Sequence, residues 1–281
     1  MKKVVNIILN RILLHFKFCP GVINMLADLT KICILHICPD KLSFILFGNP
    51  ESGTVSLWCE SRKENFFSTF EMEGLSAENH EISLQLSLEK VSSAWKSAHH
   101  AEAMKVKLSN KHSGSLKVCV KLRFFSGKSL IVAEHFPIQF IPTNFWNEMQ
   151  ELTVPYSNVS IYLPALEIMK KFVKKLKPVG DHLIIEANQN GELNLKIESE
   201  SLNVTIYFKN LENPPLENDS EDKDPEEMAI VHTDIKQVLH LITGIRGNPR
   251  RAVVHIVTNR IAYFEFLHEN FSLKYIIPAL P

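Results

Sequence analysis

A module of one amphipathic helix, an apolar strand, a polar turn and a second strand recurs four times along the 281-residue chain. Its helices are predicted to begin near Pro20, Ser87, Pro164 and Thr233, a spacing of about 70 residues. The strands behind them are Ile32–Ile37 with Leu42–Phe47, Met104–Leu108 with Leu116–Leu122, His182–Ala187 with Leu193–Ile197, and Ala252–Val257 with Ile261–Leu267. So few copies of so long a repeat do not suit a solenoid. They suit two similar halves of about 140 residues, each carrying two modules and each the size of a domain. The pattern predicts an α+β chain with helices on one face of its sheets.

Between the modules, Val55–Glu60, Phe66–Met72, Glu81–Leu86 and Leu130–Ile138 read as further strands. The second helix is expected over Ser87–Ala103, from the helical spacing of Leu88, Val91, Ala94, Trp95 and Ala98. Phe140–Asn158 breaks the period with Pro142, Pro155 and an adjacent Phe145 and Trp146, the character of a connector. The expected organisation is therefore a domain over 1–139, a connector over 140–158 and a second domain over 159–281. That second half restarts with Val159–Leu163 as a strand and Pro164 as a first helical residue. At the N-terminus Lys3–Leu9 reads as an apolar strand, and Pro20 with Gly21 should break or kink the first helix, leaving it shortened or split into Arg11–Phe18 and Val22–Lys31.

Lys+Arg and Asp+Glu both number 31, which argues against a generic polybasic nucleic-acid binder. The balance hides an asymmetry. Glu212–Glu227 holds eight acids against Lys223 alone, so the rest of the chain is net +7. With Pro214, Pro215 and Pro225 the acidic stretch reads as a solvated loop. Five cysteines without a CxxC pair, three of them (Cys33, Cys59, Cys119) in strand patterns, fit a reducing compartment. No apolar run approaches the ~20 residues that span a bilayer, so no membrane partner is expected. Met1–Phe18 has some look of a targeting segment, but Asn6, Asn10, Arg11 and His15 interrupt it and no small-residue cleavage site follows.

Phosphate-binding glycine loops, the nucleophile elbow and the H-E-x-x-H motif are all missing from the sequence. Among twelve histidines none stands at evident ligand spacing from Cys or an acid, so no metal or cofactor is expected, and no catalysis. The basic helix faces carry more. In the third helix Leu166, Met169, Phe172, Val173 and Leu176 form one apolar stripe, and Lys170, Lys171, Lys174, Lys175 and Lys177 take the remaining surface. The fourth helix repeats this weakly, with Ile235, Val238, Leu239 and Ile242 inside and Lys236 and His240 outside. The second carries Lys90 and Lys96; the first is nearly neutral, Lys31 being offset by Asp28. A lone lysine face is ordinarily a solvated surface. Four repeated helices on one side of a sheet shell would instead add their lysines into one field, suited to phosphate contacts without base reading.

Several segments are distinctive together: CPDKLSFIL (Cys38–Leu46), VSLWCE with ENFFSTFEMEGLSAEN (Val55–Asn79), VSIYLPALEIMKK (Val159–Lys171), HLIIEANQNGELNLKIESE (His182–Glu200), FKNLENPPL (Phe208–Leu216) and LKYIIPAL (Leu273–Leu280). Through them the chain resembles the Hus-one family, subunits of the checkpoint clamp called the 9-1-1 complex, over nearly its whole length. The resemblance implies a PCNA-like DNA clamp fold, with sheets outside and helices lining an inner face, and no enzyme activity or cofactor. It implies Rad-nine-like and Rad-one-like partner subunits, a clamp loader, double-stranded DNA or a primer-template junction, and repair and checkpoint proteins as clients. The implied location is the nucleus, with the cytoplasm second. The residues expected to face DNA are Lys31, Lys90, Lys96, Lys170, Lys171, Lys174, Lys175 and Lys236. The expected subunit edges carry Leu130, Val132 and Glu134 in one strand and Asn203, Thr205 and Tyr207 in the other. Phe140, Pro142, Phe145 and Trp146 would border a client groove, unless the aromatic pair folds back as core.

The N-terminus departs from the family, which has a short charged first strand and an Asp-Gly turn into its first helix. The departure keeps a second reading open: a divergent paralogue that binds one partner as a clamp-fold scaffold and does not encircle DNA.

Overall fold

The computed structural model describes residues 11–16, 20–48, 53–73, 81–97, 101–109, 115–123, 129–142, 144–145, 156–199, 202–215 and 224–281. The chain divides into two compact units, Met1–Ile45 with Glu60–Gln150 and Leu46–Cys59 with Glu151–Pro281.

The elements of the first half are β1 (Arg11–Phe16), α1 (Pro20–Leu29), β2 (Ile32–Ile37), β3 (Lys41–Leu46), β4 (Ser56–Arg62), α2 (Lys63–Phe66), β5 (Phe67–Glu73), β6 (Ile82–Ser87), α3 (Leu88–Ser97), β7 (Ala101–Ser109), β8 (Ser115–Arg123), β9 (Ser129–Pro137) and β10 (Gln139–Phe140). In the first unit one antiparallel sheet runs β5-β1-β7-β8-β9, a second set runs β10-β6-β2-β3, and α1 packs on α3. The buried stripe of α1 is Val22, Ile23, Met25, Leu26 and Leu29; that of α3 includes Leu88, Val91 and Ala94.

The second half continues with β11 (Val159–Tyr162), α4 (Leu166–Leu176), β12 (His182–Ala187), β13 (Leu193–Glu198), β14 (Asn203–Phe208), β15 (Ala229–Asp234), α5 (Ile235–Gly244), β16 (Arg251–Val257), β17 (Ile261–Leu267) and β18 (Ser272–Pro278). In the second unit the strands run β14-β13-β12-β15 and β4-β18-β17-β16-β11, and α4 packs on α5. Among its core residues are Phe264, Phe266 and Tyr275, each no more than 1% exposed, with Leu183, Leu195, Val173 and Leu241 also buried.

Three sequence expectations are corrected. Arg11–Phe16 is a strand, not the first piece of a split helix. It pairs antiparallel with β5 on one side, Leu14 opposite Phe70, and with β7 on the other, Leu14 opposite Val106. Proline lacks the N–H that a first helical position does not use, so Pro20 opens α1 and does not interrupt it. The second helix ends at Ser97. Its expected continuation to Ala103 is taken over by β7, whose Ala101 and Ala103 pair with Leu122 and Lys121 of β8 across a bulge. Pro164 lies outside α4. Ala165 is the cap residue and its carbonyl accepts the first helical hydrogen bonds, from Ile168 and Met169 N–H at 2.8 and 3.1 Å. The predicted strand Lys3–Leu9 lies outside the described residues.

The turn from β12 to β13 shows why two of the quoted segments have their composition. Asn188 is buried, and its Oδ1 accepts from the N–H groups of Asn190 and Glu192 at 3.1 and 3.0 Å. Gly191 has φ +75°, and a Cβ there would stand 2.1 Å from the Leu211 carbonyl oxygen. Asn213 then closes the network, its Nδ2 donating to the carbonyls of Ser160 and Asn188 at 2.8 and 3.0 Å. The near end of the acidic stretch is thereby fixed to the sheet, and its far end is held where Gln189 N–H meets the Pro225 carbonyl at 3.1 Å.

Two stability predictions follow from this geometry. Gly53 also has positive φ (+70°) but nothing lies within 4 Å of its added Cβ. Gly53→Ala should therefore cost about 1–2 kcal/mol of conformational strain, whereas Gly191→Ala adds a backbone clash and should cost about 3 kcal/mol or more in denaturant unfolding. The second concerns His268, whose ring stacks on Phe271 at 4.2 Å and whose Nε2 is buried without a hydrogen-bond partner among the described residues. Burial holds its pKa below the ordinary 6.5, so the unfolded chain takes up the proton first. This contribution is full above the unfolded pKa and is lost as pH falls from there through the folded pKa. His268→Phe should narrow the stability difference between unfolding measured at about pH 7.5 and about pH 5.5; an unchanged difference would exclude that assignment.

Candidate nucleic-acid interface

A helix packed on a sheet can bury only one stripe, so charge in its sequence must leave on the other side. In α4 the buried residues are Met169, Val173 and Leu176. Lys171, Lys174 and Lys175 are exposed and Lys170 is half-buried. Among the described residues none of these four has an ion-pair partner. Lys175 Nζ lies 5.9 Å from the centre of the Phe172 ring, which packs edge-on against Phe208 of β14 at 5.9 Å.

The next two lysines are already engaged. Lys177 Nζ donates to Asp181 Oδ1 at 2.6 Å, and Lys236 Nζ of α5 approaches the same oxygen at 3.4 Å. The hydrogen bond from Lys177, then the two positive charges, hold the Asp181 carboxyl below the usual carboxylate range. Sequence reasoning missed Asp181 because it sits in the turn after α4; the pairing of β12 with β15, His182 opposite Asp234, and the Ile235 N–H donating to the Asp181 carbonyl at 3.0 Å bring Lys236 to it. Asp234 caps α5, its Oδ1 accepting from Lys236 N–H at 2.8 Å.

The other expected basic positions are less concentrated. Lys90 is exposed on α3, and Lys96 belongs to α3 with its side chain outside the described residues. Lys31 is exposed but lies beyond the end of α1, which itself contains no basic residue. Arg250 is drawn away to Glu269 at 2.9 Å.

Among the described residues β5, β9, β10, β11, β14 and β15 each end a sheet, and two of these are the expected subunit edges. β9 ends the sheet of the first unit and β14 ends a sheet of the second. On β9 Leu130 is 46% exposed, whereas Val132 and Glu134 are half-buried; Ile131, which alternation did not single out, is 65% exposed. On β14 Asn203 is exposed, Thr205 half-buried and Tyr207 64% exposed, and Leu202 just before it is also bare. Phe140, the last residue of β10, is half-buried; beyond it Pro142 is exposed, and Phe145 is 46% exposed on a turn closed by its N–H to the Pro142 carbonyl at 3.0 Å. Trp146 lies outside the described residues.

Two serine–histidine–glutamate groupings form across neighbouring strands. His36 Nδ1 meets Ser83 Oγ at 2.6 Å and its Nε2 lies 3.4 Å from Glu81. His255 Nδ1 meets Ser160 Oγ at 2.7 Å and its Nε2 lies 3.6 Å from Glu265. Ser83 and Ser160 are only 1% and 2% exposed, so neither hydroxyl can reach a substrate carbon. The groupings are structural polar contacts, not nucleophilic sites. No helix among the described residues is long and apolar enough to cross a membrane.

The arrangement of paired helices on antiparallel sheets, in each of two units, is that of the PCNA-like sliding clamps. PCNA of Thermococcus kodakaraensis superposes with a TM-score of 0.67 at 13% identity, over 95% of this chain and 99% of that one. PCNA of Entamoeba histolytica gives 0.68 at 14%, over 96% and 99%. Within that fold the family is specific: the Hus1-like protein family model matches residues 12–281, and the chain belongs to the Hus1-like family. It is 51% identical over 259 residues to the human checkpoint protein HUS1, covering 92% of each chain. It is 26% identical over 232 residues to checkpoint protein hus1 of Schizosaccharomyces pombe, covering 78% of this chain and 79% of that one.

If the lysine face of α4 is free of structural duty, Lys171→Ala, Lys174→Ala and Lys175→Ala should each shift the unfolding free energy by no more than about 0.5 kcal/mol. Met169→Ala on the opposite stripe should cost about 2–5 kcal/mol by the same denaturant measurement.

Proposed function

We propose that the chain is a non-catalytic subunit of a heterotrimeric checkpoint clamp that encircles DNA without reading its sequence and tethers checkpoint and repair factors. The observation that carries this reading is the α4 face, where Lys170, Lys171, Lys174 and Lys175 stand together with no carboxylate partner among the described residues. Uncommitted ammonium groups on a rigid helix are suited to phosphates, which any duplex supplies at every step. Lys90, Lys96, Lys236 and Lys31 contribute weaker contacts, Lys236 being shared with Asp181.

The edge strands β9 and β14 are the proposed seams with Rad-nine-like and Rad-one-like subunits, because an open edge can add a neighbouring strand by backbone hydrogen bonds. Phe140, Pro142, Phe145 and Trp146 border the proposed client groove, and the organisation into domains 1–139 and 159–281 about a 140–158 connector belongs to the same reading. The proposed location is the nucleus, where a clamp loader would place the ring at a primer-template junction.

A second reading has one observation in its favour: α1 supplies no basic residue. A clamp-fold scaffold that binds a single partner subunit would not need one there.

Co-expression with the two partner classes, followed by size exclusion with light scattering, separates the readings. A stable one-to-one-to-one assembly is expected; a monomer or a dimer with one partner would support the scaffold. In the assembled ring, reversing Lys170, Lys171, Lys174 and Lys175 to glutamate should weaken retention on DNA. It should also flatten the salt dependence of binding by roughly one unit of log–log slope for each phosphate no longer neutralised. Unchanged retention and slope would overturn the DNA-facing assignment.

A further inference from the structure

His36, Cys38 and Glu81 converge at the end of β2, and their nitrogen, sulfur and carboxylate oxygen atoms all lie within 4.8 Å of one another. Two positions apart on extended chain, His36 and Cys38 project to the same side. The antiparallel register sets His36 opposite Ser83 and Ile37 opposite Ile82, which brings Glu81 abreast of Cys38. Cys38 is itself anchored by its N–H to the Lys41 carbonyl at 2.9 Å.

We propose that His36 Nε2, Cys38 Sγ and the Glu81 carboxylate form a three-ligand site for a zinc-type divalent transition-metal ion, with a fourth position open to water. Imidazole, thiolate and carboxylate are the donor types zinc takes, and three protein donors with one open position is an established coordination pattern for it. A tetrahedral ion at about 2.0–2.3 Å from each donor needs those donors roughly 3–4 Å apart. His36 and Cys38 are buried and fixed, while the Glu81 side chain is 47% exposed and so able to close the remaining distance.

The outer contacts fit the same purpose. A ligating imidazole needs a partner on its other nitrogen, and Ser83 Oγ stands 2.6 Å from His36 Nδ1. With the Nδ1 proton donated to Ser83, the Nε2 lone pair points at Glu81 and Cys38. One thiolate and one carboxylate neutralise a dication, and the nearby Lys41 ammonium is held by Glu60 at 2.9 Å.

The chemistry of binding is an exchange of proton for metal. Coordination breaks the S–H bond, forms the S–metal bond and releases the proton to buffer, with no change of oxidation state.

The test uses the full chain, stripped with a chelator and titrated with Co²⁺ alone. Expected are one equivalent bound, a thiolate-to-cobalt charge-transfer band with the visible bands of a four-coordinate ion, and displacement of that spectrum by Zn²⁺. Cys38→Ser should remove the charge-transfer band. Glu81→Gln, on an exposed side chain whose loss leaves the fold intact by circular dichroism, should weaken Co²⁺ binding at least about tenfold. A titration without the charge-transfer band, the band retained in Cys38→Ser, or unchanged affinity in Glu81→Gln would each overturn the site. Should Cys38→Ser fail to fold, Glu81→Gln alone decides it. The readout is the metal itself, so a negative result leaves the clamp reading untouched.

Discussion

Burial of one helical stripe is the constraint from which the rest is built. Met169, Val173 and Leu176 must face the core, and with their orientation set, Lys171, Lys174 and Lys175 have only solvent to enter. The same rule in α5 buries Ile235, Val238, Leu241 and Ile242 and turns Lys236 and His240 outward. A surface of positive charge is thus a by-product of core packing. What determines whether that charge can serve a ligand is the local supply of carboxylates. Asp181 takes up Lys177 and Lys236, and among the described residues the middle of α4 has no carboxylate partner.

The modules were legible because they rest on local physics. Periods of 3.6 and 2 in the apolar residues fixed β2, β12 and β17 to the residue, and a buried stripe needs no knowledge of distant partners. Arg11–Phe16 defeated that approach: its run of Ile12, Leu13 and Leu14 fits either period, and only β5 and β7, far along the chain, decide the matter. Likewise β7 draws residues 101–103 away from a helix that their own spacing would continue, because the ladder with β8 supplies partners there. Of the basic face, the lysines of α4 were readable from spacing. The claim of Asp181 on Lys236 was not, since it depends on the pairing of β12 with β15, distant in sequence. The His36, Cys38 and Glu81 grouping was equally hidden; two of its members stand two residues apart at the end of β2, but the third comes from the residue before β6.

The two edge strands illustrate how an exposed apolar surface should be weighed. Scattered exposed Leu or Ile side chains are ordinary on any protein. Leu130 and Ile131 on β9, and Leu202 and Tyr207 on and beside β14, differ because each lies along a line of unpaired backbone donors and acceptors. Backbone edges left bare invite association, and natural sheets commonly guard them with charge. On β9 the only carboxylate is Glu134, half-buried, which is a weak guard for a strand of nine residues.

The buried contacts His36–Ser83 and His255–Ser160 have a mechanical consequence. Each joins a strand that follows a helix to the strand that precedes the neighbouring helix of the same unit. Each contact acts as a toothed latch. A slip of one residue between β2 and β6, or between β16 and β11, would turn imidazole and hydroxyl to opposite faces and leave both dry and unsatisfied. Hydrophobic side chains tolerate approximate neighbours; these two pairs admit a single alignment, and they hold the strands beneath the helices to it.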